Sequence, residues 1–213
     1  MKTDDLIALL ATQAEPVDRS APARRYGGAM LVSLLGATVL MLATLGLRPD
    51  LAAVSVTALF WFKLATPGLL AVGAWQVLLR TARPGMEAGR RWGLVAGPVV
   101  VVWLAALGTL IQAPAGQWVP MVMGSSWRSC PFNIALLSMP GFVAIFWAVK
   151  GMAPTRLRTA GAVSGLLAGA SATVIYCLHC PEMQVAFWAV WYGAGVLIPT
   201  IIGALLGPRL LRW

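Results

Sequence analysis

Residues 92–111 read WGLVAGPVVVVWLAALGTLI, twenty residues without a charge, entered from Arg90-Arg91 and left through Gln112. A helix of that length rises about 30 Å, the thickness of a bilayer's hydrocarbon core. Five more apolar stretches accompany it, centred near Leu40, Ala65, Ile145, Gly169 and Leu197. Hydrophobic residues make up 59% of the 213-residue chain and charged residues 11%, which excludes a soluble core of this size. The fold class is all-α: a polytopic membrane bundle of six transmembrane helices.

Charge orients the bundle. With the N-terminus placed in the cytoplasm and alternate gaps assigned to opposite sides, thirteen of the sixteen Lys and Arg residues fall inside. Only Arg48 and Arg128 fall outside, and Lys63 lies within a span. Cytoplasmic loops carry this excess, so both termini are expected inside. The net charge of +9 matches positive-inside topology and anionic lipid headgroups, with no soluble domain to present it to nucleic acid. Asp4 and Asp5 stand where a signal peptide would be positive, so the first span is expected to stay as an anchor in a bacterial inner membrane.

The expected spans cover residues 28–46, 51–79, 92–111, 130–149, 159–178 and 184–208. A kink is expected near Pro67-Gly68. Residues 1–25 form a cytoplasmic segment for partner binding, and 26–213 the membrane domain. Within the first part, 3–13 reads as a short amphipathic helix: Thr3 caps it, Asp4 and Asp5 suit the positive end of its dipole, and Pro16 stops it. Leu6, Ile7, Leu9, Leu10 and Ala14 gather on one side. About eleven residues do not hold a helix alone in water, so this one is expected to fold on a partner. Residues 16–25 read as an irregular linker. Gly161, Gly165 and Gly169 make a small-residue ridge for close helix packing, within one bundle or, as the alternative, in a homo-oligomer.

Chemistry concentrates at the outer surface. Cys130 and Cys180 are each followed by Pro, which favours the first helical position, so each is expected at or near the start of an inward-running helix. A helix N-terminus lowers a thiol pKa. The pair reads as a redox-responsive disulfide, a permanent structural disulfide, or part of a metal site with His179. Cys177 and Glu182 stand close by in sequence as further candidates for a transient soft metal ion; no cofactor is required. Lys63 marks either a coupling role or a transport path. One His and seven acidic residues leave no nucleophile–base constellation, so an enzyme is not expected. The rival readings are a small transporter or permease subunit built on Lys63 and the kinked second helix, and a purely structural membrane subunit.

Several stretches together resemble the NrsF family of six-span membrane anti-sigma factors. They are Met1-Lys2-Thr3-Asp4-Asp5-Leu6-Ile7-Ala8-Leu9-Leu10, the Arg-rich approach to the first span, Ser129-Cys130-Pro131-Phe132, Met139-Pro140-Gly141 and Leu178-His179-Cys180-Pro181-Glu182. The resemblance runs the whole length. It implies an extracytoplasmic-function sigma factor as partner, held at the membrane, and two outward-facing cysteines that respond to heavy metal or oxidant, mapping onto Cys130 and Cys180. It assigns nothing to Cys177. The sigma-binding face would then be Asp4, Asp5, Leu6, Ile7, Leu9 and Leu10.

Overall fold

A computed structural model describes residues 3–5, 12, 20–83 and 85–212. Six helices are long and apolar enough to cross a membrane: Ala21–Thr44, Ala58–Thr81, Gly89–Gln112, Cys130–Lys150, Leu157–Tyr176 and Val185–Leu210. No strand occurs among the described residues. Thr3, Asp4, Asp5 and Thr12 are helical and exposed, while Leu6, Ile7, Leu9, Leu10 and Ala14 lie outside the described residues.

The fifth span is the most enclosed. It packs chiefly on the sixth, then on the fourth and second, and the third sits at the edge against the second. The glycine ridge makes the main contact possible. A Cβ on Gly165 would lie 2.6 Å from the Pro199 carbonyl carbon and 3.0 Å from Thr200 Cα; one on Gly161 would lie 2.8 Å from Gly207 Cα; one on Gly169 would lie 2.9 Å from Pro199 Cγ. The ridge therefore sits against the sixth span of the same chain, backbone to backbone. No hydrophobic effect separates lipid from protein inside a bilayer, so close van der Waals approach of this kind holds the bundle together.

Three expectations about span ends need correction. The first helix begins at Ala21, inside the stretch read as an irregular linker, because Pro22 is tolerated in a first turn where its missing N–H has no partner to lose. The second span is broken rather than continuous: a turn of helix at Leu51–Val54 ends, and Ala58–Thr81 starts afresh from Thr57, whose Oγ1 accepts from Phe60 N at 3.3 Å. Pro67 lies inside that helix. The sixth span starts at Val185 and carries a π-helical turn, Trp188–Tyr192, before Gly193–Leu210.

The interior has two apolar clusters. One, at the inner end by the charge assignment above, gathers Tyr26, Ala74, Val77, Leu78, Phe146 and Leu167. There Trp75 meets Tyr26 edge-on at 5.7 Å, and Arg25 lies 5.5 Å over the Trp147 ring. Arg156 pairs with Glu87 between the inner loops. The other cluster holds all three cysteines with Met41, Ile134, Tyr176 and Phe187.

Candidate sensory site at the outer end

Three short connections fold over the cysteine cluster: residues 45–50, 113–129 and 177–184. Each is tied to another by side chains whose partners stand far away in sequence.

Cys130 is the first residue of the fourth span, preceded by Ser129 as N-cap and followed by Pro131. Its N–H donates to Ser126 O at 3.0 Å. Cys177 closes the fifth span, and its Sγ donates to Lys63 O at 3.7 Å. Cys180 does not stand at the start of a helix as expected. The sixth span begins only at Val185 with Gln184 as its cap, and Cys180 N–H still belongs to the end of the fifth, donating to Tyr176 O at 3.0 Å. A helix dipole is therefore not what activates it. The Cys130 thiol is: lying beside Cys180, it draws the Cys180 pKa below the ordinary thiol value, against the cost of burial and with help from the Lys63 ammonium. All three thiols are free and fully buried, so none is outward-facing in the sense of being exposed.

Two buried cations converge on the Cys180 carbonyl. Lys63 is 1% exposed, and its Nζ donates to Cys180 O at 2.7 Å and Glu182 O at 2.8 Å. It lies 5.8 Å from the centroids of both the Trp188 and the Tyr192 rings. Arg48 Nη1 donates to the same Cys180 oxygen at 3.2 Å. The Arg48 guanidinium is itself gripped by both carboxylate oxygens of Asp50, at 2.7 and 2.8 Å. Those bonds hold the Asp50 carboxyl below its ordinary range. The sequence marks Arg48 only as an outer-side charge and not as part of the site; its signal is the turn Arg48-Pro49-Asp50, where a planar donor fork meets a carboxylate two residues on.

Glu182 fastens the 113–129 connection to this turn. Its Oε1 accepts from Ser125 N at 2.7 Å, Ser125 Oγ at 2.6 Å and Ser126 N at 3.2 Å. Burial pushes the carboxyl up, but the Ser125 and Ser126 donors outweigh it and hold it below its ordinary value. Gly124 makes the approach feasible. It sits at φ +55°, and a Cβ there would lie 2.7 Å from the Phe187 ring and 2.8 Å from the Glu182 carboxyl carbon. Trp188 Nε1 donates to Glu182 O at 3.0 Å and Trp191 Nε1 to Val122 O at 2.8 Å, so these two Trp residues fasten the cap.

His179 does not join the cysteines. Its Nδ1 is hydrogen-bonded to Gly46 O at 2.9 Å, with the ring 5.6 Å from that of Tyr176. Among the described residues no three His, Cys, Asp or Glu side chains are grouped to hold a metal ion. The three-ligand arrangement of Cys130, His179 and Cys180 is thus not assembled; two adjacent soft sulfur donors are. What the site can do chemically is join Cys130 to Cys180, or offer the pair to a thiophilic ion.

A family profile described as "Negative regulator of sigma F" matches residues 10–213. The chain is 44% identical over 213 residues to a probable anti-sigma-F factor of Azospira oryzae, covering all of both chains. It is 39% identical over 219 residues to an anti-sigma-F factor of Caulobacter vibrioides, again covering all of both. No solved structure matches it.

Proposed function

This chain belongs to the NrsF family of negative regulators of sigma F, and from that premise we propose how it holds and releases a sigma factor. It is an anti-sigma factor with six apolar, membrane-length helices, a regulator and not an enzyme. Its partner is an extracytoplasmic-function sigma factor, captured at the bacterial inner membrane by residues 3–13. The apolar positions Leu6, Ile7, Leu9 and Leu10 fill a groove on the partner as the segment folds, and Asp4 and Asp5 lie at the positive end of the new helix.

Release follows chemistry at Cys130 and Cys180 on the periplasmic side. The observation that carries this reading is their proximity: two fully buried thiols, one opening the fourth span and one in the turn after the fifth, lie in the same cluster. The shift of the Cys180 pKa below the ordinary thiol value favours the thiolate, the form that attacks oxidants and binds soft metals. With a peroxide, the Cys180 thiolate takes one oxygen to become a sulfenic acid and hydroxide leaves. The Cys130 sulfur then displaces water, giving the disulfide. A thiophilic heavy-metal ion bridging the two sulfurs would constrain them in the same way. Either event draws the start of the fourth span and the 177–184 turn together.

The test is co-purification from native membranes, with and without residues 3–13. A sigma factor should be retained by the full chain and lost on truncation. Equal retention by both would refute the contact helix, and no sigma factor in either would refute the partner.

A further inference from the structure

From the packing around Lys63 we infer that the second span is the element that carries the state of the cysteine turn to the cytoplasmic side, with Lys63 as the positioning residue at its outer end. This rests on the sensory reading above and adds its route. No Asp or Glu occurs in any of the six spans, so Lys63 has no carboxylate within the bundle to explain its burial. It engages the turn at both ends instead. Its ammonium holds the carbonyls of Cys180 and Glu182, the two that flank Pro181, and its own carbonyl accepts from Cys177 Sγ. One residue of the second span therefore grips the whole segment 177–182.

The consequence is mechanical. If a disulfide displaces Cys180, the Lys63 ammonium must either follow or lose its acceptors, and leaving an ammonium that is 1% exposed unpaired is costly. Following is the cheaper course, and the helix Ala58–Thr81 is continuous from that point inward. Twelve residues further on, about 18 Å along the axis, Trp75 meets Tyr26 edge-on. Tyr26 is buried in the first helix, which begins at Ala21, eight residues past the segment 3–13 assigned to the sigma factor. The route from thiol to partner is then the cysteine turn, Lys63, Trp75, Tyr26 and the root of the N-terminal segment. Lys63 is part of a switch; the transport reading does not need its ammonium turned toward backbone carbonyls.

The test uses the full chain in native membranes with its sigma factor bound, treated with diamide, which takes two hydrogens from two thiols to give the disulfide and a hydrazine. Two quantities are read on each sample: the Cys130–Cys180 disulfide, by gel shift after thiol tagging, and the sigma factor still bound. Lys63→Met should bind the sigma factor before treatment and form the disulfide, yet release at least tenfold less of it than the unaltered chain. Lys63→Arg, which restores charged donors, should release normally. Tyr26→Leu, distant from the thiols, should uncouple as Lys63→Met does. Full release from Lys63→Met once its disulfide has formed would overturn the role of Lys63. If Lys63→Met fails to accumulate, Tyr26→Leu decides, and normal release from it overturns the route. An unaltered chain that forms the disulfide and keeps its sigma factor would instead refute the underlying sensory reading.

Discussion

Changing Glu182 to Gln should open the cap over the thiols. The carboxylate holds the 124–126 segment through one oxygen, with bonds of 2.6 and 2.7 Å to Ser125. A hydrogen bond to a charged group contributes about 1.5–3 kcal/mol, and a neutral one about 1. Gln keeps an acceptor oxygen but loses the charge, so the two short bonds together lose roughly 2 kcal/mol. Ser125 is exposed, and solvent around it reduces this to about 1.4 kcal/mol, or about tenfold in the opening equilibrium. Buried thiols react from the opened form, so their labelling rate follows that equilibrium. An uncharged maleimide should therefore label Cys180 about tenfold faster in Glu182→Gln than in the unaltered protein, followed by mass spectrometry of the purified chain. Gly124→Ala should do the same, since its Cβ would push the carboxyl group away. An unchanged rate in both variants would show that Glu182 does not close the site.

Acid should mimic the substitution. The folded-state pKa of Glu182 is depressed, so the latch is fully present above its ordinary value of 4.5 and is lost as pH falls through the lower folded value. Labelling by a pyridyl disulfide, which reacts in acid, should accelerate below about pH 4.5 in the unaltered chain only, and a matching acceleration in Glu182→Gln would refute the assignment. Gly165→Leu should cost about 3 kcal/mol through overpacking against Pro199, seen as a lower Tm in detergent, whereas Gly97→Leu, with open space at its Cβ, should leave Tm unchanged. Cys177→Ser should respond to oxidant normally in a sigma-release assay, because the Cys130–Cys180 contact does not involve it; loss of the response would place Cys177 in the disulfide.

The six spans were readable because bilayer thickness demands about twenty apolar residues whatever their neighbours are. The glycine ridge was readable for a related reason: three glycines four apart can serve close approach on one helix face and little else. The span ends were not. The restart at Thr57 depends on a single hydroxyl accepting from Phe60, and the early start at Ala21 on a proline that is neutral in a first turn. The two Cys-Pro pairs look alike in sequence, yet only Cys130-Pro131 opens a helix. Residues 181–184 stay non-helical while Lys63 holds the Cys180 and Glu182 carbonyls and Ser125 holds the Glu182 carboxylate. Those partners stand more than fifty residues away, and no local pattern announces them. The same holds for Arg48, whose contact with Cys180 spans 132 positions. That Cys130 and Cys180 stand at the same end of the bundle was legible; what surrounds them was tertiary.

The most direct measurement is sigma-factor retention by membranes containing either the unaltered chain or the Cys130→Ser, Cys180→Ser double variant, before and after a pulse of peroxide. The unaltered chain should hold the sigma factor and then release it as the Cys130–Cys180 disulfide forms, while the double variant holds it throughout. Equal release from both would contradict sensing at these thiols.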